Sequence, residues 1–423
     1  MPASTARGLV CAVVSAALEH GVPEAGWTRD PGGGPAEHAG AGEAALASTQ
    51  PSLYVHVPFC VTKCHYCDFY SLPAQGEPIS ATVDALLVEA EQRATPRPPT
   101  VFLGGGTPSL LSVTELARLL DRLDDLTGFR ASAVEVTVEC NPESLDEEKA
   151  ACLLEHGATR VSIGFQSLHE RTLELFGRAH TVDDSFRAYA AARAAGARNV
   201  NVDFIYAHPE LTSEQWTRDL ARIATLEPEH VSAYNLTFEE DTPFRRWLEQ
   251  GRLQRSSEDV ELEQFWTTRA RLAASGLHAY EISNFARSGR ECVHNERYWR
   301  NADYVGIGPS AVSHVAGLRR GNARSRAKWS ADVEQRGCAA EWEERLAPRA
   351  RLGETWWLGL RTRRGVEPAR ARALAGFDSG EDPCERAALD LARDGFLEAR
   401  EGRYALSARG LPLADALARR FLA

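Results

Sequence analysis

The stretch "CVTKCHYCDF", Cys60–Phe69, places three of the chain's nine cysteines within eight residues. A C-x2-C pair alone serves equally as half of a zinc site or as a redox dithiol. Here a third cysteine stands four residues ahead of the pair, and no second C-x2-C exists to complete a four-ligand zinc site. Three thiolates instead suit a four-iron cluster that leaves one iron without a protein ligand. That open iron could chelate a small molecule.

The segments around this loop set its place in the fold. Short β-like runs recur: "SLYVHV" (52–57), "TVFL" (100–103), "AVEVTVE" (133–139), "RVSIG" (160–164), "NVNVDFIY" (199–206) and "HVSAYNL" (230–236). Segments with helical spacing separate them. "SVTELARLLDRLDDL" opens with Ser112 and Glu115 spaced as a capping box. Strands alternating with helices predict βαβ units around a parallel sheet, and six of them an α/β fold of (β/α)6, TIM-like type, closed as a barrel or left as a partial barrel. Cys60–Cys67 follow the first strand, Gly104–Thr107 the second, Glu139 ends the third, and Gln166 follows the fourth. Asp203 lies late in the fifth, and Thr237 follows the sixth. All converge on the C-terminal mouth, where such barrels place their chemistry.

Composition narrows the classes. The chain has 423 residues, 43% hydrophobic and 25% charged, with a net charge of −11, which argues against a nucleic-acid partner. Positive charge is nearly all arginine; lysine occurs only at positions 63, 149 and 328. An odd number of mostly scattered cysteines is not a secreted disulfide framework, so a reducing, cytoplasmic setting is expected. The apolar run Gly8–Leu18 imitates a signal peptide weakly and is too short to span a bilayer. Residues 1–50, with "PGGGPAEHAGAGEAA", read as a disordered extension. Residues 51–285 form the barrel, and 286–423 a C-terminal region. That region ends in helix, "LEAREGRYAL" hairpin and helix, a winged-helix-like order. Residues 381–423 hold eight Asp/Glu against seven Arg, so this wing lacks the basic face that DNA binding requires.

"CVTKCHYC", with Tyr66 before its last cysteine, resembles the C-x3-C-x2-C motif of the radical SAM superfamily, and "GGGTP" (Gly104–Pro108) resembles that superfamily's glycine motif. The resemblance implies a [4Fe-4S] cluster on Cys60, Cys64 and Cys67, with S-adenosylmethionine (SAM) on the open iron. It narrows to the coproporphyrinogen III dehydrogenase branch and its relative, the HemW-type heme chaperones, over residues 51–420. From it, Tyr54, Gly105 and Glu139 are implied as contacts of the cluster-bound SAM. Tyr66, Gly106, Thr107, Gln166, Arg178 and Asp203 match positions that contact a second SAM in the dehydrogenases, and Thr237 is implied as a further cofactor contact. Two features favour the chaperones. Phe69 stands where the dehydrogenases carry a fourth cysteine, and "HNERYW" fits the chaperones' H-N-x-x-Y-W motif, giving His294, Asn295, Tyr298 and Trp299 a heme-related role. The resemblance then implies heme as cargo, respiratory heme proteins (some at the membrane surface) as acceptors, and allows a homodimer. Oxygen-independent coproporphyrinogen III dehydrogenase, a decarboxylating enzyme, is the alternative. The chain departs from its relatives at Ala207 and Glu210, where a Gly-x-Pro-Gly turn is usual, and at Ser310–Ala311–Val312, where Gly-Ala-His is usual. Strain is expected where glycine is lost, and the missing histidine at Val312 removes a possible contact.

Overall fold

The computed structural model describes Trp27, residues 37–378 and residues 381–422; the apolar run at 8–18 lies outside them. The six β-like runs are strands, β1 Ser52–Val57, β2 Thr100–Gly105, β3 Glu135–Cys140, β4 Arg160–Gln166, β5 Val200–Tyr206 and β6 His230–Asn235. They pair in parallel in chain order. Strict alternation divides their side chains. Leu53, Val55, Val101, Leu103, Val136, Val138, Val161, Val200 and Val231 are buried in one apolar core with the surrounding helices. The alternate positions carry Ser52, Tyr54, His56, Thr100, Glu135, Thr137, Glu139, Arg160, Ser162, Asn201, Asp203, His230 and Ser232. With a period of two, one face of each strand serves the helical shell and the other a polar lumen.

The helices begin where their caps predict. Ser112 accepts a hydrogen bond from the Glu115 amide at 3.2 Å. The reciprocal half of the expected box is not made, because the Glu115 carboxylate turns to Arg118 at 2.7 Å. Gly128 ends that helix with φ +67°, a left-handed cap that glycine adopts without cost.

The expected boundary at residue 285 does not divide the sheet. β7 His278–Ala279 and β8 Asn284–Ala286 extend it antiparallel beyond β6. On the other flank β9 Tyr304–Ile307 runs parallel to β1, followed by antiparallel β10 Val312–Val315, β11 Leu318–Asn322 and β12 Ala340–Arg345. The twelve strands order as β12-β11-β10-β9-β1-β2-β3-β4-β5-β6-β8-β7, with open edges at β12 and β7, so the barrel is partial. A second core begins only in the helix Pro348–Leu360. There Trp356 stacks on Phe421 at 5.4 Å, beside the hairpin β13 Leu397–Arg400 and β14 Arg403–Leu406. Helices followed by a hairpin and a helix give this module the winged-helix-like order.

The described part of residues 1–50 corrects the reading of a disordered extension. Glu37–Ala47 is a helix, and Ala45 and Leu46 are buried. The buried Arg297 secures the segment leading from this helix to β1, donating to the carbonyls of Ala45 at 2.6 Å, Ser48 at 3.1 Å and Gln50 at 2.6 Å. Trp27 Nε1 donates to the Leu406 carbonyl at 2.8 Å. Low local hydrophobicity concealed this order, since partners 245 or more residues away supply it.

Candidate functional site

The cysteine loop leaves β1 at Pro58 and is pinned by backbone and imidazole. The His65 amide donates to the Phe176 carbonyl at 2.8 Å, and His65 Nδ1 pairs with the Leu175 carbonyl at 2.8 Å. Beneath it runs the glycine loop, whose Gly106 and Thr107 amides donate to the carbonyls of Val57 at 2.8 Å and Phe59 at 2.7 Å. A Cβ at Gly106 would lie 2.6 Å from the Phe59 carbonyl, and one at Gly105 (φ +101°) 2.4 Å from His56 Nδ1. Such approaches admit only glycine.

Donors aim at the sulfurs. Thr107 Oγ1 lies 3.5 Å from Cys60 Sγ, and Arg178 Nη1 lies 3.5 Å from Cys64 Sγ. Burial raises the Cys60 thiol, and burial together with the neighbouring Cys64 pushes Cys67 up to about 12. Burial disfavours charge on Arg178 too, but Tyr66, Cys64 and Glu143 outweigh it and hold the guanidinium protonated. Tyr66 packs edge-on to Phe176 at 5.1 Å while its hydroxyl faces Cys64. Among the described residues no three His, Cys, Asp or Glu side chains converge on a single metal ion. A four-iron cluster does not require that, because each thiolate takes a separate iron. Three mutually interacting thiols with N–H and O–H donors on two of the sulfurs fit such a group.

The remaining mouth residues form one polar layer. Glu139 Oε2 accepts from the Gly105 amide at 3.2 Å, and burial followed by the nearby Asp203 raises its carboxyl to about 7. Asp203 is raised by burial, against bonds from Asn201 at 2.8 Å and Ser162 at 3.1 Å. Tyr54 donates to His56 Nδ1 at 3.0 Å, which fixes Nε2–H of His56 on the Tyr70 carbonyl at 2.8 Å. Burial lowers that imidazole to about 4, so it is neutral. Gln166 sits at a bulge with φ +66°, a strained value for a side-chain-bearing residue, next to Gly164 and Arg178. Thr237 is exposed in the loop after β6, and no hydrogen bond ties it to this layer. Phe69 is 65% exposed.

Sequence reasoning missed Asn141. Its Nδ2 donates to Thr107 at 2.9 Å while its Oδ1 accepts from Arg178 at 2.7 Å, joining the two sulfur donors. An Asn-Pro step two residues past Glu139, just beyond β3, was the available signal. His56 was equally legible, since it is the next inward position after Tyr54.

The "HNERYW" motif lies elsewhere, on the helix Val293–Trp299 against the N-terminal ends of the strands. The Glu135 carboxylate at the start of β3 accepts from the Val293 amide at 2.9 Å and the His294 amide at 3.1 Å. His294 is 1% exposed, with Nδ1 on Thr100 Oγ1 at 2.8 Å and Nε2 on the Tyr298 hydroxyl at 3.0 Å. Thr100 already donates to Ser52, so His294 donates from Nδ1 and accepts at Nε2. Burial lowers its imidazole to about 3. Both nitrogens are therefore occupied inside the protein. Asn295 and Trp299 are half-buried on the same helix.

The departures resolve differently. Ala207 does occupy a left-handed turn, φ +57°, with its amide held by Gln264 Oε1 at 2.8 Å, and Ser310 has φ +64°. Glu210 needs no positive φ and pairs with Arg171 at 3.0 Å, so the strain expected there is absent. Val312 is half-buried at the start of β10.

Comparison with known proteins points the same way. Residues 54–223 match the Radical SAM superfamily. The chain is 32% identical over 376 residues to "Heme chaperone HemW" of Bacillus subtilis, covering 88% of this chain and 99% of that protein. It is 36% identical over 377 residues to the Mycobacterium tuberculosis protein of the same name, covering 88% and 94%. Among solved structures, coproporphyrinogen III oxidase (HemN) of Escherichia coli superposes with a TM-score of 0.76 at 24% identity, over 91% of this chain and 93% of that one. This last likeness establishes the α/β radical SAM fold. The near full-length identities go further, and the chain belongs to the HemW family of the radical SAM superfamily.

Proposed function

We propose that this protein is a heme chaperone that binds heme and delivers it to respiratory acceptor proteins, working in the cytoplasm and carrying a [4Fe-4S] cluster and SAM. The observation that carries this reading is the identity along nearly the whole chain to proteins named heme chaperones. Phe69 in the position of the dehydrogenases' fourth cysteine supports it. Among the described residues no helix is long and apolar enough to cross a membrane, so acceptors embedded there would be met at the membrane surface.

Cys60, Cys64 and Cys67 would hold the cluster, which when bound supplies an electron and an open iron for the amino and carboxylate groups of SAM. The chain's own residues set the conditions. Thr107 and Arg178 donate to the sulfurs of Cys60 and Cys64, and Asn141 orients both donors. Glu139 and Asp203 present two neighbouring carboxyls whose mutual repulsion falls when ribose-type hydroxyls donate into them. Tyr54 and His56, locked in one tautomer, line the same mouth, as do Gly105, Gly106, Tyr66 and Gln166. Thr237 would join only if its loop folds over a ligand.

Heme titration of the purified protein, followed by transfer to an apo-acceptor, tests the proposal. Transfer faster than from free heme in buffer is the expected result. Conversion of coproporphyrinogen III under reducing conditions with SAM would show the decarboxylating enzyme instead.

A further inference from the structure

The helix Val293–Trp299 has a second face. While His294, Arg297 and Tyr298 turn inward, Glu296, Trp299 and the following Arg300 line an open cavity of about 70 Å³ against the C-terminal module, which contributes Arg364, Arg370 and Arg403. Arginine side chains around so small an open space suit a carboxylate group. Arg403 is neutralised by Glu367 at 2.7 Å. Arg300 and Arg370 make no direct ion pair among the described residues, and the charges of Glu296 and Glu43 act on Arg300 from a distance. Trp299 Nε1 and Arg300 Nη2 are buried donors without an acceptor. Arg361 lies over the Trp299 ring at 5.2 Å, with its own charge paired to Asp415.

Besides Glu296 and Glu367 in the lining, a third carboxylate reaches this cluster from a separate segment. Glu43, on the helix Glu37–Ala47, pairs with Arg364, and its carboxyl is held below the usual range by that bond and by the charges of Arg300 and Arg370. Glu43 is exposed and enters from a separate segment, so it can leave without disturbing the cavity walls.

We propose that this pocket binds a carboxylate of an incoming ligand, with Glu43 as the built-in occupant that the ligand displaces. The heme reading names the carrier: a porphyrin propionate enters between Arg300 and Arg370 while the macrocycle lies outside over the exposed rim. Only the identity of the carrier rests on that reading. Planar guanidinium groups favour such bidentate carboxylate contacts.

Calorimetric titration of the full chain with hemin, hemin dimethyl ester and succinate tests it. Hemin should bind at least about tenfold more tightly than the ester, which has no carboxylate. Arg300→Gln with Arg370→Gln should bring hemin down to the ester's affinity, and Glu43→Gln should tighten hemin several-fold. Arg370→Gln alone, at an exposed position, keeps the test valid if the double variant misfolds. Equal affinity for hemin and ester in wild type and variants would overturn the pocket and leave the heme reading standing. Succinate binding that the arginine variants abolish, with no porphyrin binding at all, would support the pocket and overturn heme as its carrier. No binding of any of the three would overturn the proposal.

Discussion

Replacing His294 separates a structural brace from a heme ligand. In His294→Leu the Tyr298 hydroxyl loses its buried acceptor and the bond to Thr100 disappears. An unsatisfied buried hydroxyl costs about 1–3 kcal/mol and a lost neutral bond about 1, so the variant should lose about 2–4 kcal/mol at neutral pH. The same change removes a titration. With the folded imidazole lowered to about 3 from 6.5, the unfolded chain binds the extra proton first. Stability from neutral His294 is thus fully present above pH 6.5 and lost as pH falls towards 3, roughly 5 kcal/mol in all and about 3 of it by about pH 4.5. Urea unfolding of both proteins from about pH 8 to about pH 4.5 should show the variant weaker at first and the two curves converging on acidification. Unchanged stability with a tenfold loss of heme affinity would make His294 an axial ligand and refute the brace.

The mouth yields further expected outcomes. Cys64→Ala should abolish the absorption spectrum of a reconstituted four-iron cluster while leaving circular dichroism unchanged. Gly105→Ala meets His56 at 2.4 Å in a left-handed conformation and should destabilise the fold by about 1–3 kcal/mol and weaken SAM binding, both measurable by calorimetry. Ala207→Gly relieves φ +57° and should raise the unfolding free energy by about 1 kcal/mol. A drop instead would mean that the Ala207 methyl packs more tightly than its backbone is strained.

Much of the barrel was legible because its information is local. β-Branched residues at alternate positions mark each strand, and the cysteine and glycine loops come after strands whose ends are visible in sequence. Capping at Ser112 was readable for the same reason. What escaped depends on distant partners. Arg297 looks like an ordinary charge beside Tyr298, yet it gathers carbonyls from residues 45, 48 and 50 and the hydroxyl of Ser52. β9–β12 carry too little regularity to announce that they flank β1. For His294 the residue type suggested metal chemistry, and only the positions of Thr100 and Tyr298 show both nitrogens in use.

The alternation along β1 to β6 has a consequence for how the chain finds its pairing. A slip of β1 by one residue would turn Leu53, Val55 and Val57 towards Glu139 and Arg160, and press Tyr54 and His56 against the apolar helices. Forfeiting the burial of three such side chains, at about 1.5–3 kcal/mol each, approaches the entire stability of a typical domain. The polar residues that face the lumen therefore also proofread the strand register. A chain that folds with its cysteine loop at the wrong height is rejected before any ligand arrives.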